Sequence, residues 1–234
     1  MADCFITRRG DTGSGGAKTD FDLTGIIGYF DTSTVDLDNN KWINKIDDTY
    51  NVNLPYGGTI QNDALFLSSN QYGKLSKKPS TGFEPYTFYC VFKAINTITN
   101  FAPIITKGMS TSSAIGKNFS IHLATNGNII GSSCGDDVIS NIQGYDYHVV
   151  CVTKYNNLLY LYIDGACIGS TNILDGYGSD NYYINYLYRN GSADTPTNTE
   201  YKMCAIGVEY HPEDVILKNS EYLMKKYNVP KIVL

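Results

Sequence analysis

The chain has 234 residues, 42% hydrophobic and 18% charged, which is enough for one sizeable globular domain. Its formal net charge of −5 argues against a nucleic-acid partner, because phosphate binding requires clustered lysine and arginine. No run approaches the roughly 20 apolar residues of a membrane helix, and the N-terminus lacks the apolar core of a secretory signal. We therefore expect cytoplasmic synthesis, no classical secretion and no membrane insertion.

A Gly-rich segment at 10–17 separates a short head from the body of the chain. It does not end in the Gly-Lys-Ser/Thr sequence that a phosphate-binding loop requires, so we reject that interpretation. We predict an N-terminal arm and linker over residues 1–20 and a single domain over residues 21–234.

Short runs of β-branched and aromatic residues between turn signals predict strands throughout the body. The predicted strands cover 25–30, 42–44, 51–54, 64–67, 86–95, 102–106, 119–125, 129–130, 147–154, 158–163, 182–188 and 201–210. Their spacing favours a β-sandwich or jelly roll. One helix is predicted to begin at 211–214, where a proline and two acidic residues suit a helix start, and to end before Pro230.

Residues 147–170 form the most informative stretch. Two apolar strands join at Asn156-Asn157, and a second turn follows at Asp164-Gly165. These residue pairs tolerate the positive φ of tight hairpin turns. Neither face of either strand is cleanly polar, so we expect the hairpin to be buried on both sides at the centre of stacked sheets.

The six cysteines include no C-x-x-C pair, which argues against zinc-ribbon and thioredoxin-like sites. Without a secretory signal we expect buried, reduced thiols rather than a disulfide framework.

The hairpin YHVVCVTKYNNLLYLYIDGACIGS, together with GIIGYFD at 25–31, YTFYCVFKAI at 86–95 and APIITKG at 102–108, resembles the concanavalin A-like lectin/glucanase superfamily of laminin-G-like type. The resemblance implies an all-β fold, a two-sheet antiparallel β-sandwich (jelly roll) with one short C-terminal helix. The head, MADCFITRRG, resembles the start of tail-associated proteins of phages and prophages. That second resemblance implies a virion-associated protein released by lysis.

The catalytic carboxylates of this superfamily's glucanases stand in the order Glu-x-Asp-x-x-Glu, and that triplet is missing here. The five glutamates are at 84, 200, 209, 213 and 221, and none has the required spacing. We interpret Glu200 and Glu209 as solvated strand ends. The three histidines have no sequence motif that pairs them with a Ser or Cys nucleophile, so we expect no enzyme.

The sequence requires no cofactor, but the resemblance implies Ca²⁺ as a candidate ligand, because laminin-G-like domains often hold the ion with loop oxygens. Candidate loop acids are Asp136, Asp137, Asp175 and Asp180. Their spacing shows no ordered ligand pattern, and solvated loop charges are the alternative.

The best binding candidate is the tyrosine-rich segment 175–190. A lectin site requires an aromatic platform for the apolar face of a sugar, with polar side chains for its hydroxyl groups. The candidate carbohydrate-binding residues are Tyr177, Asp180, Asn181, Tyr182, Tyr183, Tyr186 and Arg189. Strand alternation predicts that Tyr182, Ile184, Tyr186 and Tyr188 share one face. One of the two faces would be core or an inter-subunit contact, and ligand contact is the alternative.

The leading hypothesis is a non-catalytic carbohydrate-binding or adhesion module of a phage or prophage tail, with a glycan or cell-surface polysaccharide as its partner. A structural virion protein that contacts other virion subunits through its tyrosine-rich faces is the first alternative. A divergent glycan-cleaving enzyme is the second.

Overall fold

The computed structural model describes residues 20–77, 87–96, 102–107, 119–133, 136–173, 181–189, 192–194 and 197–232. Within these ranges the chain folds into two packed antiparallel β-sheets, with one α-helix against the outer face of one sheet. The predicted two-sheet sandwich with a single C-terminal helix is confirmed.

The strands are short, as the turn signals in the sequence predict. In chain order they are β1 (Ile26–Asp31), β2 (Val35–Asp36), β3 (Lys41–Trp42), β4 (Val52–Asn53), β5 (Thr59–Gln61), β6 (Ala64–Leu67), β7 (Gly73–Leu75), β8 (Thr87–Ala94), β9 (Ala102–Lys107), β10 (Phe119–Leu123), β11 (Asn128–Ser133), β12 (Asp136–Gln143), β13 (His148–Tyr155), β14 (Leu158–Ile163), β15 (Ala166–Asn172), β16 (Tyr182–Ile184), β17 (Leu187–Arg189), β18 (Ser192–Asp194) and β19 (Thr199–Gly207). The helix α1 covers Glu213–Tyr227, and short 3-10 helices cover Thr32–Thr34 and Asp48–Tyr50.

The eight-stranded sheet has the order β15-β14-β13-β8-β19-β6-β5, and β1 also pairs with β19. The nine-stranded sheet has the order β12-β11-β10-β9-β16-β7-β4-β3-β2, and β17 pairs with β18 separately. The predicted hairpin is β13 and β14, with positive φ at Asn156, Asn157, Asp164 and Gly165. All of β13 except Tyr155 is buried, which confirms the expected burial of this strand on both sides.

Aromatic and aliphatic side chains from both sheets fill the space between them. Trp42 is fully buried there and its indole Nε1 donates to the carbonyl of Asp31 at 2.7 Å, so its polar atom is satisfied. Phe88 packs edge-on against Phe119 and Tyr182 of the opposite sheet. These cross-sheet contacts place Tyr182 in the core.

The helix covers part of the outer face of the eight-stranded sheet. Ile216, Leu223 and Met224 of α1 share a second buried cluster with Val91 and Cys151. The helix ends at Asn228, which takes a left-handed conformation with φ of 53°. Among the described residues, no helix is long and apolar enough to cross a membrane.

The four cysteines in the described part of the chain divide into two groups. Cys90, Cys151 and Cys204 are buried free thiols, as expected. Cys167 is bonded in a disulfide, so the expectation of reduced thiols is wrong at this position. Unlike the other three, Cys167 is only half-buried and lies on the edge strand β15.

A nearly buried carboxylate joins β1 to the helix. Asp31 is 4% exposed, and its Oδ2 accepts from Lys45 Nζ at 2.6 Å and from Lys226 Nζ at 3.1 Å. Burial by itself raises the pKa of Asp31, but hydrogen bonds from Lys45, Ser33 and Lys226 together lower it to about 2. Since this pKa lies below the usual 3.8, Asp31 stabilises the fold fully above pH 4, and its contribution is lost as the pH falls towards 2.

We predict that Asp31→Asn lowers the free energy of unfolding at pH 7 by about 2 kcal/mol, because the pKa shift corresponds to an interaction of that size. Urea unfolding at pH 7 and at pH 2.5 measures the effect, and the difference between the two proteins should shrink at the lower pH. Asp38→Asn, at an exposed carboxylate, is the matched control. An equal loss at both pH values would contradict the ionic origin of the stabilisation.

Candidate functional site

Four tyrosine rings form a continuous strip at one end of the sandwich, and we call Tyr56, Tyr72, Tyr186 and Tyr183 the tyrosine strip. The ring centroids of Tyr56 and Tyr72 are 5.5 Å apart, those of Tyr72 and Tyr186 4.5 Å, and those of Tyr186 and Tyr183 5.4 Å. Tyr56 is 65% exposed and Tyr183 only 8%, so the strip runs from the surface into the structure. The exposed rings are accessible to a ligand, and the buried ring of Tyr183 fixes the other end of the strip in the structure.

Three separate segments supply the strip. Tyr56 lies in the turn that follows β4, where the backbone N–H of Gly57 donates to the carbonyl of Leu54. Tyr72 immediately precedes β7, and Tyr183 lies in β16, which pairs with β7. Antiparallel pairing of these two strands brings residues that are more than 100 positions apart into ring contact.

Asn185 sets the direction of Tyr186. Its φ is 60°, which ends β16 after Ile184 and breaks the alternation that an extended strand would continue. Tyr182 and Ile184 share one face, as predicted, and the structure shows that this face is the core. The prediction that Tyr186 shares their face is wrong, since Tyr186 instead contacts Tyr183 and Tyr72.

The Asn185 side chain is fully buried and ties the two sheets together. Its Nδ2 donates to the carbonyls of Ser68 at 3.1 Å and Gln71 at 2.9 Å. Its Oδ1 accepts from the hydroxyl of Tyr201 at 3.3 Å, and the Asn185 N–H donates to the carbonyl of Ile104. An Asn is favoured here because it tolerates the left-handed region and carries both donors and acceptors.

Polar groups line the strip. The Lys74 ammonium lies 5.7 Å from the centre of the Tyr183 ring, and Gln71 Nε2 donates to the carbonyl of Tyr56 at 2.9 Å. Burial is the main cause that raises the pKa of Tyr72, with a smaller contribution from Tyr56. The hydroxyl of Tyr72 is therefore neutral at physiological pH and can both donate and accept hydrogen bonds.

The predicted binding residues separate into three groups. Tyr177 and Asp180 lie outside the described residues, and the side chain of Arg189 does too, although its backbone belongs to β17. Asn181 Nδ2 donates to the carbonyl of Leu75, a structural role. Tyr183 and Tyr186 join the strip, whereas Tyr182 is 1% exposed and belongs to the core.

Sequence reasoning missed Tyr56, Tyr72 and Lys74. Local sequence places both tyrosines in turns, PYGG at 55–58 and NQYG at 70–73, where no buried strand face explains an aromatic residue. An aromatic residue in a turn was therefore the sequence signal that could have identified these two tyrosines. Their contact with residues 183–186 depends on the pairing of β7 with β16, which the sequence does not reveal.

Glu200 lies at the same end of the sandwich, on the outer face of the eight-stranded sheet. It is 2% exposed, and its carboxylate accepts from the Tyr147 hydroxyl at 2.6 Å and from Asn62 Nδ2 at 2.7 Å. The interpretation of Glu200 as a solvated strand end is wrong, because Tyr147 and the turn at Asn62 cover it. Glu209 is exposed, as expected.

In the Tyr147–Glu200 pair a tyrosine hydroxyl donates to a buried carboxylate. Burial is the main cause that raises the pKa of Tyr147 well above its usual 10, and the bond to Glu200 adds to it. Tyr147 is therefore protonated at neutral pH and donates to Glu200.

Metal ligands do not cluster in the described part of the chain. No group of three or more His, Cys, Asp and Glu side chains there is arranged to hold an ion. Asp175 and Asp180 lie outside it. Asp136 and Asp137 begin strand β12 and do not lie in a loop, which corrects their predicted placement.

No protein-family model matches the chain, and no curated protein matches it by sequence. Similar solved structures exist. Trypanosoma rangeli sialidase in complex with 2,3-difluorosialic acid has a TM-score of 0.69 and 12% identity, over 92% of this chain and 35% of the sialidase. The binding domain of Paraclostridial Mosquitocidal Protein 1 has a TM-score of 0.63 and 14% identity, over 90% of this chain and 54% of that one.

At such identities the likeness concerns the fold, which is consistent with the lectin-type sandwich expected from the sequence. The chain spans about a third of the sialidase and about half of the mosquitocidal domain. The exclusion of an enzyme is wrong as a firm expectation, because sialidases are among the structures that share this fold. The resemblance of residues 1–10 to phage tail proteins stays a prediction.

We predict that Asn185→Ala lowers the free energy of unfolding by about 3 kcal/mol, since it removes the bonds from Nδ2 to the carbonyls of Ser68 and Gln71 and the bond that Oδ1 accepts from Tyr201, and places Ala at positive φ. Urea unfolding measures the loss.

Asn157→Ala is the matched control, because Asn157 has φ of 62° in an exposed hairpin turn and isolates the backbone cost. We expect about 1 kcal/mol for this control. Equal losses for the two variants would contradict a structural role of the Asn185 side chain.

Proposed function

We propose that this domain binds glycans, and that the tyrosine strip is the surface against which the sugar rings pack. The observation that carries the proposal is a row of four rings, each in contact with the next, whose exposure falls from 65% at Tyr56 to 8% at Tyr183. Three separate segments of the chain supply the rings of the strip, and the buried Asn185 fixes the position of these segments. A surface assembled in this way is pre-organised, which lowers the entropic cost of binding.

The chemistry of the strip fits a sugar better than an apolar ligand. Sugar rings have C–H faces that pack on aromatic rings and hydroxyl edges that form hydrogen bonds. Tyrosine supplies both a ring and a hydroxyl, and Gln71 and Lys74 add polar groups at the edge. Tyr56, Tyr72 and Tyr186 are each at least partly exposed, so more than one sugar ring of an oligosaccharide could pack along the strip.

The comparisons support a binding role of this kind. The mosquitocidal protein's matching part is named a binding domain, and the sialidases are solved with sialic acid and its analogues. We extend from these proteins only the ligand class, a glycan. A place in a phage or prophage tail, inferred from the head sequence, remains part of the proposal and awaits a test on virions.

We predict that Tyr72→Ala weakens binding to any glycan that the wild-type domain selects on a glycan array by at least 10-fold. Tyr72 contacts both Tyr56 and Tyr186, so its removal interrupts the strip at its centre. A loss of about 1.4 kcal/mol, modest for a central aromatic contact, corresponds to that factor. Isothermal titration with the selected glycan measures it.

Tyr155→Ala is the matched control. Tyr155 is an exposed tyrosine stacked on Tyr210 at 4.3 Å, and it lies at the opposite end of the eight-stranded sheet. The proposal is refuted if no glycan binds the wild type above background, or if Tyr72→Ala binds as well as Tyr155→Ala. Self-association that Tyr72→Ala abolishes, without glycan binding, would favour the virion-assembly alternative.

A further inference from the structure

A cleft of about 340 Å³ opens beside the end of β8. It is lined by Lys93, Ala94, Ile95, Asn96 and Tyr145. Its volume falls within the range of small-molecule sites. The lining combines a cation, an amide, an apolar side chain and an aromatic ring, which is a mixture suited to a polar ligand with one apolar face.

Lys93 has no anionic partner among the described residues. Its ammonium lies 5.6 Å from the centre of the Tyr147 ring, and no described carboxylate is within ion-pair distance. Its neighbour across the sheet, Glu200, already accepts from Tyr147 and Asn62. Lys93 lines the cleft and is half-buried, so its ammonium lacks the full hydration of a surface lysine.

A second ammonium strengthens the positive potential. Lys202 Nζ lies 5.0 Å from the centre of the same Tyr147 ring and donates to the carbonyl of Asn62 at 2.7 Å. Two cations thus flank one ring, next to the single buried carboxylate of Glu200. Two further acids need to be weighed, Asp63 on the adjacent turn and Asp146, which lies between Tyr145 and Tyr147 in the chain. Both are exposed, so water screens their charges.

The uncharged walls of the cleft are positioned by the backbone. A Cβ at Gly127, whose φ is 84°, would lie 2.6 Å from atoms of the Tyr145 ring, so the ring rests directly on this glycine. Ile95 is 43% exposed, and its N–H donates to the carbonyl of Asn198 at 2.9 Å. The Tyr145 ring, the Ile95 side chain and Lys93 therefore line the same cleft.

The cleft and the tyrosine strip lie at the same end of the sandwich. Asn198, whose carbonyl holds Ile95, also accepts from the N–H of Ser69 through its Oδ1 at 2.9 Å. The preceding residue, Ser68, accepts from Asn185, which positions Tyr186. A short chain of hydrogen bonds thus connects the wall of the cleft to the strip.

We infer that the cleft binds the carboxylate-bearing residue of an acidic glycan, with Lys93 as the counter-ion of the carboxylate. The inference rests on the proposed function and narrows its ligand class to sugars of the uronic or sialic acid type. Asn96 is placed to bond hydroxyl groups, and Tyr145 and Ile95 to contact the C–H face. The rest of the glycan extends towards the tyrosine strip.

Titration of the full chain with methyl glucuronide and with methyl glucoside tests the inference, because the two sugars differ only in the carboxylate. Methyl N-acetylneuraminide, compared with its methyl ester, tests the sialic acid type in the same way. We expect the acids to bind at least 10-fold more tightly than their neutral counterparts. Lys93→Gln should remove this difference, and Lys93→Arg should keep it.

Lys41→Gln, at an exposed lysine of β3, is the charge-matched control and should bind as the wild type does. Equal binding of acid and neutral sugar, no binding of any of these probes, or full binding by Lys93→Gln would each overturn the cleft inference. The proposed function would stand in those cases if oligosaccharides still bound and Tyr72→Ala still weakened them. Loss of all glycan binding would end both.

Discussion

The candidate binding end of this sandwich depends on one buried side chain, Asn185. Its left-handed backbone stops β16 after two inward-facing residues, and the next tyrosine is thereby turned away from the core. Its amide satisfies two loop carbonyls and accepts from Tyr201, which belongs to the opposite sheet. Because the buried amide forms all of these hydrogen bonds, it rigidifies the loops and specifies their arrangement. The tyrosine strip exists because this residue fixes where Tyr186 lies relative to Tyr72.

Electrostatics divides the same end into two neighbouring parts. The tyrosine strip is aromatic and nearly neutral, with Lys74 at its edge. Around Tyr147, two lysines flank a ring whose hydroxyl is bonded to a buried glutamate. The bond makes Glu200 a structural acceptor and leaves Lys93 without a carboxylate partner among the described residues. We expect an acidic oligosaccharide to bind both parts at once, through ring packing along the strip and charge pairing in the cleft.

Sequence reasoning succeeded where the chemistry is local. The hairpin 147–170, its Asn-Asn and Asp-Gly turns and the start of the helix follow from periodicity and turn propensity, and all are present. It failed where a non-local contact overrides a local pattern. Alternation placed Tyr186 with Tyr182 because nothing local reveals that Asn185 breaks the strand. Glu200 was interpreted as solvated since its covering groups, Tyr147 and Asn62, come from other strands. Tyr56, Tyr72 and Lys93 acquire their roles only through strand pairing.

The central claim is that glycans bind at the end of the sandwich where Asn185 and Asn198 connect the loops. Backbone amide chemical shifts of the isotopically labelled protein test it most directly, with a tetrasaccharide that alternates glucuronic acid and N-acetylglucosamine as the probe. We expect saturable shifts in residues 68–74, 94–96 and 183–186, and unchanged amides at 155–158 and 208–211 at the opposite end. Shifts confined to the opposite end, or no shifts at saturating probe, would contradict it.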